Sequence, residues 1–128
     1  MKTKFSKSWK SSKQPRKQRK YLANAPLHIK KNFLSSHLSK ELRTKYNRRH
    51  LTVRKGDKVK LMKGQFKGKS GKINKINLKK TRVFIDGIEI TKRDGTKVFF
   101  PTHPSNLMIE ELNLDDRERQ KILERTKK

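Results

Sequence analysis

The sequence predicts a mainly β fold, a small and strongly twisted barrel of short strands over residues 53–110. A basic arm (1–23) and two short helices (24–52) lead into it, and one short helix (111–128) follows. Three observations predict this arrangement. Nearly all the clustered Val, Ile, Leu and Phe of the 128-residue chain lie between residues 53 and 109, where they recur with a period of two, the spacing of half-buried strands. Turn-forming Asp86-Gly87 and Asp94-Gly95 punctuate these runs. Charge is graded the other way: residues 1–55 hold 18 Lys+Arg against one acid, Glu41, whereas residues 56–128 hold 19 against 10.

The arm begins MKTKFSKSWKSSKQPRKQRK, with no acid and no apolar periodicity, so it buries too little to order on its own. In APLHIKKNFLSSHL, Pro26 suits a first helical turn, and Ile29 with Phe33, then Leu34 with Leu38, stand four apart. A short helix across this stretch is expected. Ser39 is placed to cap a second one, with Glu41 in its first turn, Leu42 and Tyr46 four apart, and Asn47 to end it.

From Val53 the reading is of strands. Val59 and Leu61, Ile73, Val83 and Ile85, Ile88 and Ile90, and Val98 with Phe99 mark five short ones, too few for a sandwich and suited to a small barrel. Its core is expected around Val59, Leu61, Ile73, Val83, Ile85, Val98 and Phe100. Asp94-Gly95, as two central residues between IEITKR and TKVFF, predicts a type I′ hairpin, while Asp86-Gly87 suits either a turn or a bulge. After PTHPSN comes a last strand, LMIEEL, and Asp115 with Asp116 open a helix running through Arg125.

Charge narrows the function further. With 37 Lys+Arg and 11 Asp+Glu the formal net charge is +26, which repels itself in any compact volume unless a polyanion is near. Nucleic acid is the expected partner; a membrane surface would call for a basic amphipathic helix with a wide apolar face, which is not found. The absence of cysteine excludes disulfides, thiolate zinc sites, iron–sulfur ligation and cysteine nucleophiles. No apolar run approaches the roughly 18 residues of a membrane span, and the basic N-terminus lacks the apolar stretch of a secretory signal, so a soluble, non-secreted chain is expected.

Several motifs resolve toward binding rather than catalysis. GQFKGKS (64–70) resembles a phosphate-binding P-loop but has three residues between its glycines where that loop needs four, and a strand-like GKINKI follows where a helix is required. His28, His37, His50 and His103 are scattered without metal-ligand spacing and read as phosphate neighbours or packing residues. Glu110, Glu111, Asp115, Asp116 and Glu118 read as caps and local counter-charges. No catalytic residue, metal site, cofactor or small-molecule substrate is expected. Phe5 and Trp9, set among lysines, suit stacking on unpaired bases.

The informative segment is RKGDKVKLMKGQFKGKSGKI (54–73). Gly56 and Asp57 turn the chain into a strand, Gly64 and Gly68 bracket a loop that Phe66 can pin to the core, and Gly71 lets the chain turn into the next strand. Lys63, Lys67, Lys69 and Lys72 project from this scaffold toward a sugar-phosphate chain. The stretch resembles a KOW motif, the glycine-centred signature of a small SH3-like barrel in ribosomal proteins and transcription elongation factors.

The flanks extend the likeness. SKQPRKQRK (12–20), NAPLHIKK (24–31), SSHLSKELRTKYNRRHLTVRKGD (35–57) and HPSN (103–106) together resemble the large-subunit ribosomal protein twenty-four family in its archaeal and eukaryotic form, whose eukaryotic members are numbered twenty-six. Bacterial members lack the two-helix extension and eukaryotic ones usually carry a longer basic tail, so an archaeal form is favoured. Residues 1–9 fall outside that pattern. The resemblance implies a structural protein of the large ribosomal subunit that binds the first domain of the large-subunit RNA early in assembly, near the peptide exit tunnel, beside neighbouring ribosomal proteins. The arm would then stay disordered until RNA-bound. RNA contact is expected from Lys7, Lys10, Lys13, Arg16, Lys17, Arg19 and Lys20 on the arm, from Lys30, Lys31, Arg43, Lys45, Arg48 and Arg49 on the helices, and from Arg54, Lys55, Lys63, Lys67, Lys69, Lys72, Lys79 and Lys80 on the barrel. Two rivals are a KOW-domain elongation factor, which needs a preceding α/β domain that 52 residues cannot supply, and an architectural DNA-binding protein, suggested by charge alone.

Overall fold

The computed structural model describes residues 5–9 and 11–125. Within them the elements run α1 (Pro15–Asn24), α2 (Leu27–Phe33), β1 (Ser35–Leu38), α3 (Lys40–Tyr46), β2 (His50–Thr52), β3 (Lys58–Leu61), β4 (Ser70–Asn77), β5 (Arg82–Ile85), β6 (Glu89–Thr91), β7 (Lys97–Phe99), β8 (Leu107–Glu111) and α4 (Arg117–Glu124). Six strands form one sheet in the order β2-β1-β8-β3-β4-β5, and β6 with β7 forms a separate pair. All pairings are antiparallel except that of β1 with β8.

The expected closed barrel does not form, and the chain is a mixed α and β fold rather than a mainly β one. The ladder stops at β2 on one side and β5 on the other. It curls all the same, because β4 pairs with β3 through residues 70–72 and then with β5 from Ile73 onward, across an irregularity between Ile73 and Lys75. Val83 and Thr102 exchange two backbone hydrogen bonds of 2.9 Å, which folds the segment before β8 back over β5.

Residues 35–38, expected to continue a helix, form β1 instead. Leu34 and Leu38 satisfy a four-residue helical spacing, but serines at 35 and 36 compete with the backbone for hydrogen bonds and favour leaving the helix. As a strand, β1 alternates cleanly: Ser36 and Leu38 are buried and His37 is exposed. The Ser36 hydroxyl donates to the Pro104 carbonyl at 2.6 Å, so its burial is satisfied. Residues 15–23, placed in an arm without regular structure, belong to α1, which runs Pro15–Asn24 with Pro15 in its first turn. The second expected helix is α3: the Ser39 hydroxyl accepts from the Leu42 N–H and Asn47 turns left-handed at φ 48°.

The core comprises Leu34, Leu38, Leu51, Val59, Leu61, Ile73, Val83, Ile85, Ile88, Leu107, Ile109 and Leu123, among others. Val98, expected inside, is 38% exposed, as is its cross-strand partner Ile90, because the β6–β7 hairpin stands off the main sheet. Ile88 is buried instead, and Phe100 packs partly against the core. The hairpin turn is not type I′, which needs positive φ at both central residues. Only Gly95 has it; the Gly95 N–H reaches the Lys92 carbonyl and Lys92 pairs with Thr96, a three-residue connection. The Asp94 carboxylate accepts from the Thr96 hydroxyl and N–H, which lowers its pKa. At Asp86-Gly87 the chain makes a turn closed by Ile88 N–H to Ile85 carbonyl, with positive φ at Gly87.

Among the described residues one buried ion pair fastens the C-terminal helix to the sheet. Asp57 is fully buried at the turn before β3, where its oxygens accept from Arg119 Nη1 at 2.6 Å and Nη2 at 2.7 Å and from the N–H groups of Asn113 and Arg54. Arg119, on α4, also donates to the carbonyls of Asn113 and Thr52, while its buried Nε finds no partner among the described residues. The α4 helix is thereby tied to β2, to the β3 turn and to the segment after β8.

Candidate nucleic-acid interface

The loop between β3 and β4 is closed by Gly68 N–H to Leu61 carbonyl and Leu61 N–H to Lys69 carbonyl. Phe66 pins it, packing 5.2 Å from the ring of Phe100, and Lys69 lies over the Phe66 ring. Gly64 and Gly68, both at positive φ, face open space, so the backbone there is accessible from outside. Gly71 is different from its reading as a turn residue. It sits within β4, where an added Cβ would meet the Asp86 carbonyl and lie 2.8 Å from Ile85 Cγ2. Its role is close strand packing. Ser70 opens β4, so the P-loop-like stretch leads into a strand.

Beside this loop two clefts adjoin, sharing Arg82 and His103 in their walls. Lys63, Phe66, Phe100, Arg82 and His103 line one, and Arg82, His103, Lys79, Lys80 and Phe33 line the next. The Phe33 ring lies 6.2 Å from Tyr21 of α1, which in turn packs at a tilt against Phe5 and Trp9. His103 Nδ1 accepts the Ser105 N–H, and burial, then the nearby Arg82 cation, lowers its pKa. A second cleft, between α2, β2 and α4, is lined by Lys31, Arg48, His50 and Arg54 together with Arg119. Among the described residues no carboxylate side chain lines any of these clefts, although the chain has 11 acids.

The acids sit elsewhere and act as local partners. Asp116 caps α4 and pairs with Arg54; Glu111 bonds Lys58 at 2.8 Å, raising the pKa of Lys58 and lowering its own. Glu118 lies 3.7 Å from Lys121.

The expected contact residues therefore separate. Lys7, Lys13, Arg16, Lys17, Arg19, Lys20, Lys31, Lys45, Arg49, Lys55, Lys63, Lys67, Lys69, Lys72, Lys79 and Lys80 are exposed. Lys10 lies outside the described residues. Lys30 is buried, its ammonium donating to the carbonyls of Ala23 and Lys79, so it ties α1 to the β4–β5 turn. Arg43 bonds the Leu38 carbonyl, Arg48 the Ile122 carbonyl and Arg54 the Asp116 carboxylate; all three are half-buried and partly occupied within the protein. Sequence reasoning missed Arg82, which flanks two clefts, and the Asp57–Arg119 pair. Arg82 alternates with buried Val83 and Ile85, so the period-two pattern already places it on the opposite face; nothing in sequence links positions 62 apart.

A family model that describes the eukaryotic ribosomal proteins L26 and their archaeal L24 counterparts matches residues 12–126. The chain is also 50% identical over 114 residues to the large ribosomal subunit protein uL24 of Methanosphaera stadtmanae (strain ATCC 43021 / DSM 3091 / JCM 11832 / MCB-3), an alignment that spans 89% of this chain and 97% of that protein.

Proposed function

The chain belongs to the family of eukaryotic ribosomal proteins L26 and archaeal ribosomal proteins L24, non-enzymatic constituents of the large subunit of the cytoplasmic ribosome, and we propose that it serves there by binding ribosomal RNA. The observation that carries this reading is the set of clefts, carboxylate-free among the described residues, lined by Lys, Arg and aromatic rings. Exposed lysines of the β3–β4 and β4–β5 connections neutralise phosphates and release counterions, and the half-exposed rings beside them accept unstacked bases. The family resemblance adds the finer placement: the first domain of the large-subunit RNA, early in assembly, near the peptide exit tunnel and beside other large-subunit proteins. The curl of β3, β4, β5 and β8, with the Val83–Thr102 bridge across it, supports reading this unit as SH3-like.

RNA adds to the stability of the arm. The helix α1 buries no residue, and Arg16–Lys20, Arg16–Arg19 and Lys17–Lys20 are like-charge neighbours, each costing about 0.2–0.5 kcal/mol. At 10 residues it is also shorter than the ~12–15 at which isolated helices become even marginal. Phosphates between these side chains turn repulsion into attraction.

The test is a titration against a transcript of the first domain of large-subunit RNA. With about ten phosphates contacted, log affinity should fall against log salt with a slope of roughly −7 to −9. Deleting residues 1–20 should weaken binding while leaving the melting transition of the rest nearly unchanged. An affinity indifferent to salt would refute the electrostatic mechanism.

A further inference from the structure

We propose that the cleft walled by Phe5, Trp9 and Tyr21 is a stacking pocket for one unpaired nucleobase. This deepens the RNA-binding reading and rests on it. The helix α1 sets Lys17, Lys20, Tyr21 and Asn24 on a single face, since positions three, four and seven apart align. The segment before it doubles back, with the Ser6 hydroxyl accepting the Trp9 N–H and bonding Ser8, so that Phe5 and Trp9 both meet the Tyr21 ring, at centroid distances of 4.9 and 5.3 Å. All three rings remain half-exposed. An aromatic cluster built only for stability would close on itself and expel water; this one keeps an open cleft of about 220 Å³.

Size and charge choose the occupant. The volume falls below the ~300–1,000 Å³ typical of pockets for drug-sized ligands, so it suits one ring system, with sugar and phosphate left outside. Lys17 and Lys20, both exposed, line the cleft and can receive that phosphate, and Asn24 offers an amide with both donors and an acceptor to a base edge. An apolar protein side chain would fill the rings but gain nothing from two cations. Phe5 and Trp9 precede the residues that the family model matches, whereas Lys17, Lys20, Tyr21 and Asn24 lie within them, so two of the three rings stand outside the matched span.

Trp9 is the only tryptophan, which makes its emission a local reporter. Full-length protein is titrated with nonauridylate and with a nine-unit abasic ribose phosphate of equal charge, and anisotropy of the labelled oligomers is followed alongside Trp9 emission. Stacking on an aromatic ring should make Trp9→Ala bind nonauridylate between about fivefold and 150-fold more weakly while changing abasic binding less than about twofold, and Trp9→Phe should retain most of the affinity. Nonauridylate, but not the abasic oligomer, should quench Trp9. Equal losses on both oligomers, or none on either, overturn the pocket, as does wild-type protein that binds neither while still binding the ribosomal transcript. If the transcript itself is not bound, the RNA-binding reading falls, and the pocket with it.

Discussion

Removing the carboxylate of Asp57 should cost more stability than any other single polar change in this protein. Asp57 is fully buried and gathers four donors: two guanidinium nitrogens of Arg119 and the N–H groups of Arg54 and Asn113. Asp57→Ala leaves the Arg119 guanidinium, 2% exposed, without its counter-charge, a defect worth about 3–5 kcal/mol. Two backbone N–H groups lose their acceptor as well, at about 1–3 kcal/mol each where water cannot reach them. Against the ~5–15 kcal/mol of an ordinary domain, such a variant stands near the edge of folding. Arg119→Met should cost less than Asp57→Ala, because the remaining carboxylate keeps its two backbone donors. The double variant should then be more stable than the sum of the two losses predicts, by about 0.5–3 kcal/mol, yet below wild type because the two orphaned N–H groups persist. Urea unfolding followed by circular dichroism measures all four corners of the cycle. Hydrogen exchange should show α4 losing protection first in either single variant. An Asp57→Ala loss below about 1 kcal/mol, or strict additivity in the cycle, would refute the view that this pair fastens the C-terminal helix.

Gly71→Ala should destabilise by about 1–3 kcal/mol through overpacking against Asp86 and Ile85, whereas Gly64→Ala meets no neighbour and suffers only backbone strain at φ 96°; comparing their urea midpoints decides between packing and conformation. The folded-state pKa of His103 lies below its unfolded value of about 6.5, so above that pH both states are neutral. As pH falls through about 6.5 the unfolded chain takes up the proton that the folded one resists, and stability declines until the folded value is reached. His103→Asn keeps an acceptor for the Ser105 N–H and should flatten that decline; an unchanged profile between pH 7.5 and 5 would exclude His103 as its source.

Where the chain was legible, local chemistry and tertiary context agreed. Ser39, Glu41 and Asn47 define α3 because a cap and a left-handed stop act within one turn, whatever surrounds the helix. Val59, Leu61, Val83 and Ile85 announce buried strand faces because a period of two admits one buried side. Phe66 announces its anchoring role because it is the one large apolar residue in a loop of glycine and lysine. A local pattern misleads where it admits two structures. Leu34 and Leu38 fit a helix, but pairing with β2 and β8 makes residues 35–38 a strand. Val98 alternates like a core residue, yet its hairpin stands away from the sheet.

Charge and short-range turn chemistry need no fold to be read, so the polyanion partner, the glycine-lysine loop and the surplus of cations over acids are all present in the order of residues. Which of those cations remain outside is a matter of packing. Lys30 looks no different from Lys31 in the sequence, yet one spends its ammonium on two carbonyls and the other lines an open cleft. The curl that stops short of a barrel, the Asp57–Arg119 clasp and the aromatic cleft at Tyr21 likewise join residues far apart in the chain or set by packing. Long-range burial decides which polar groups must find partners inside the protein, and that cannot be computed from neighbours in sequence.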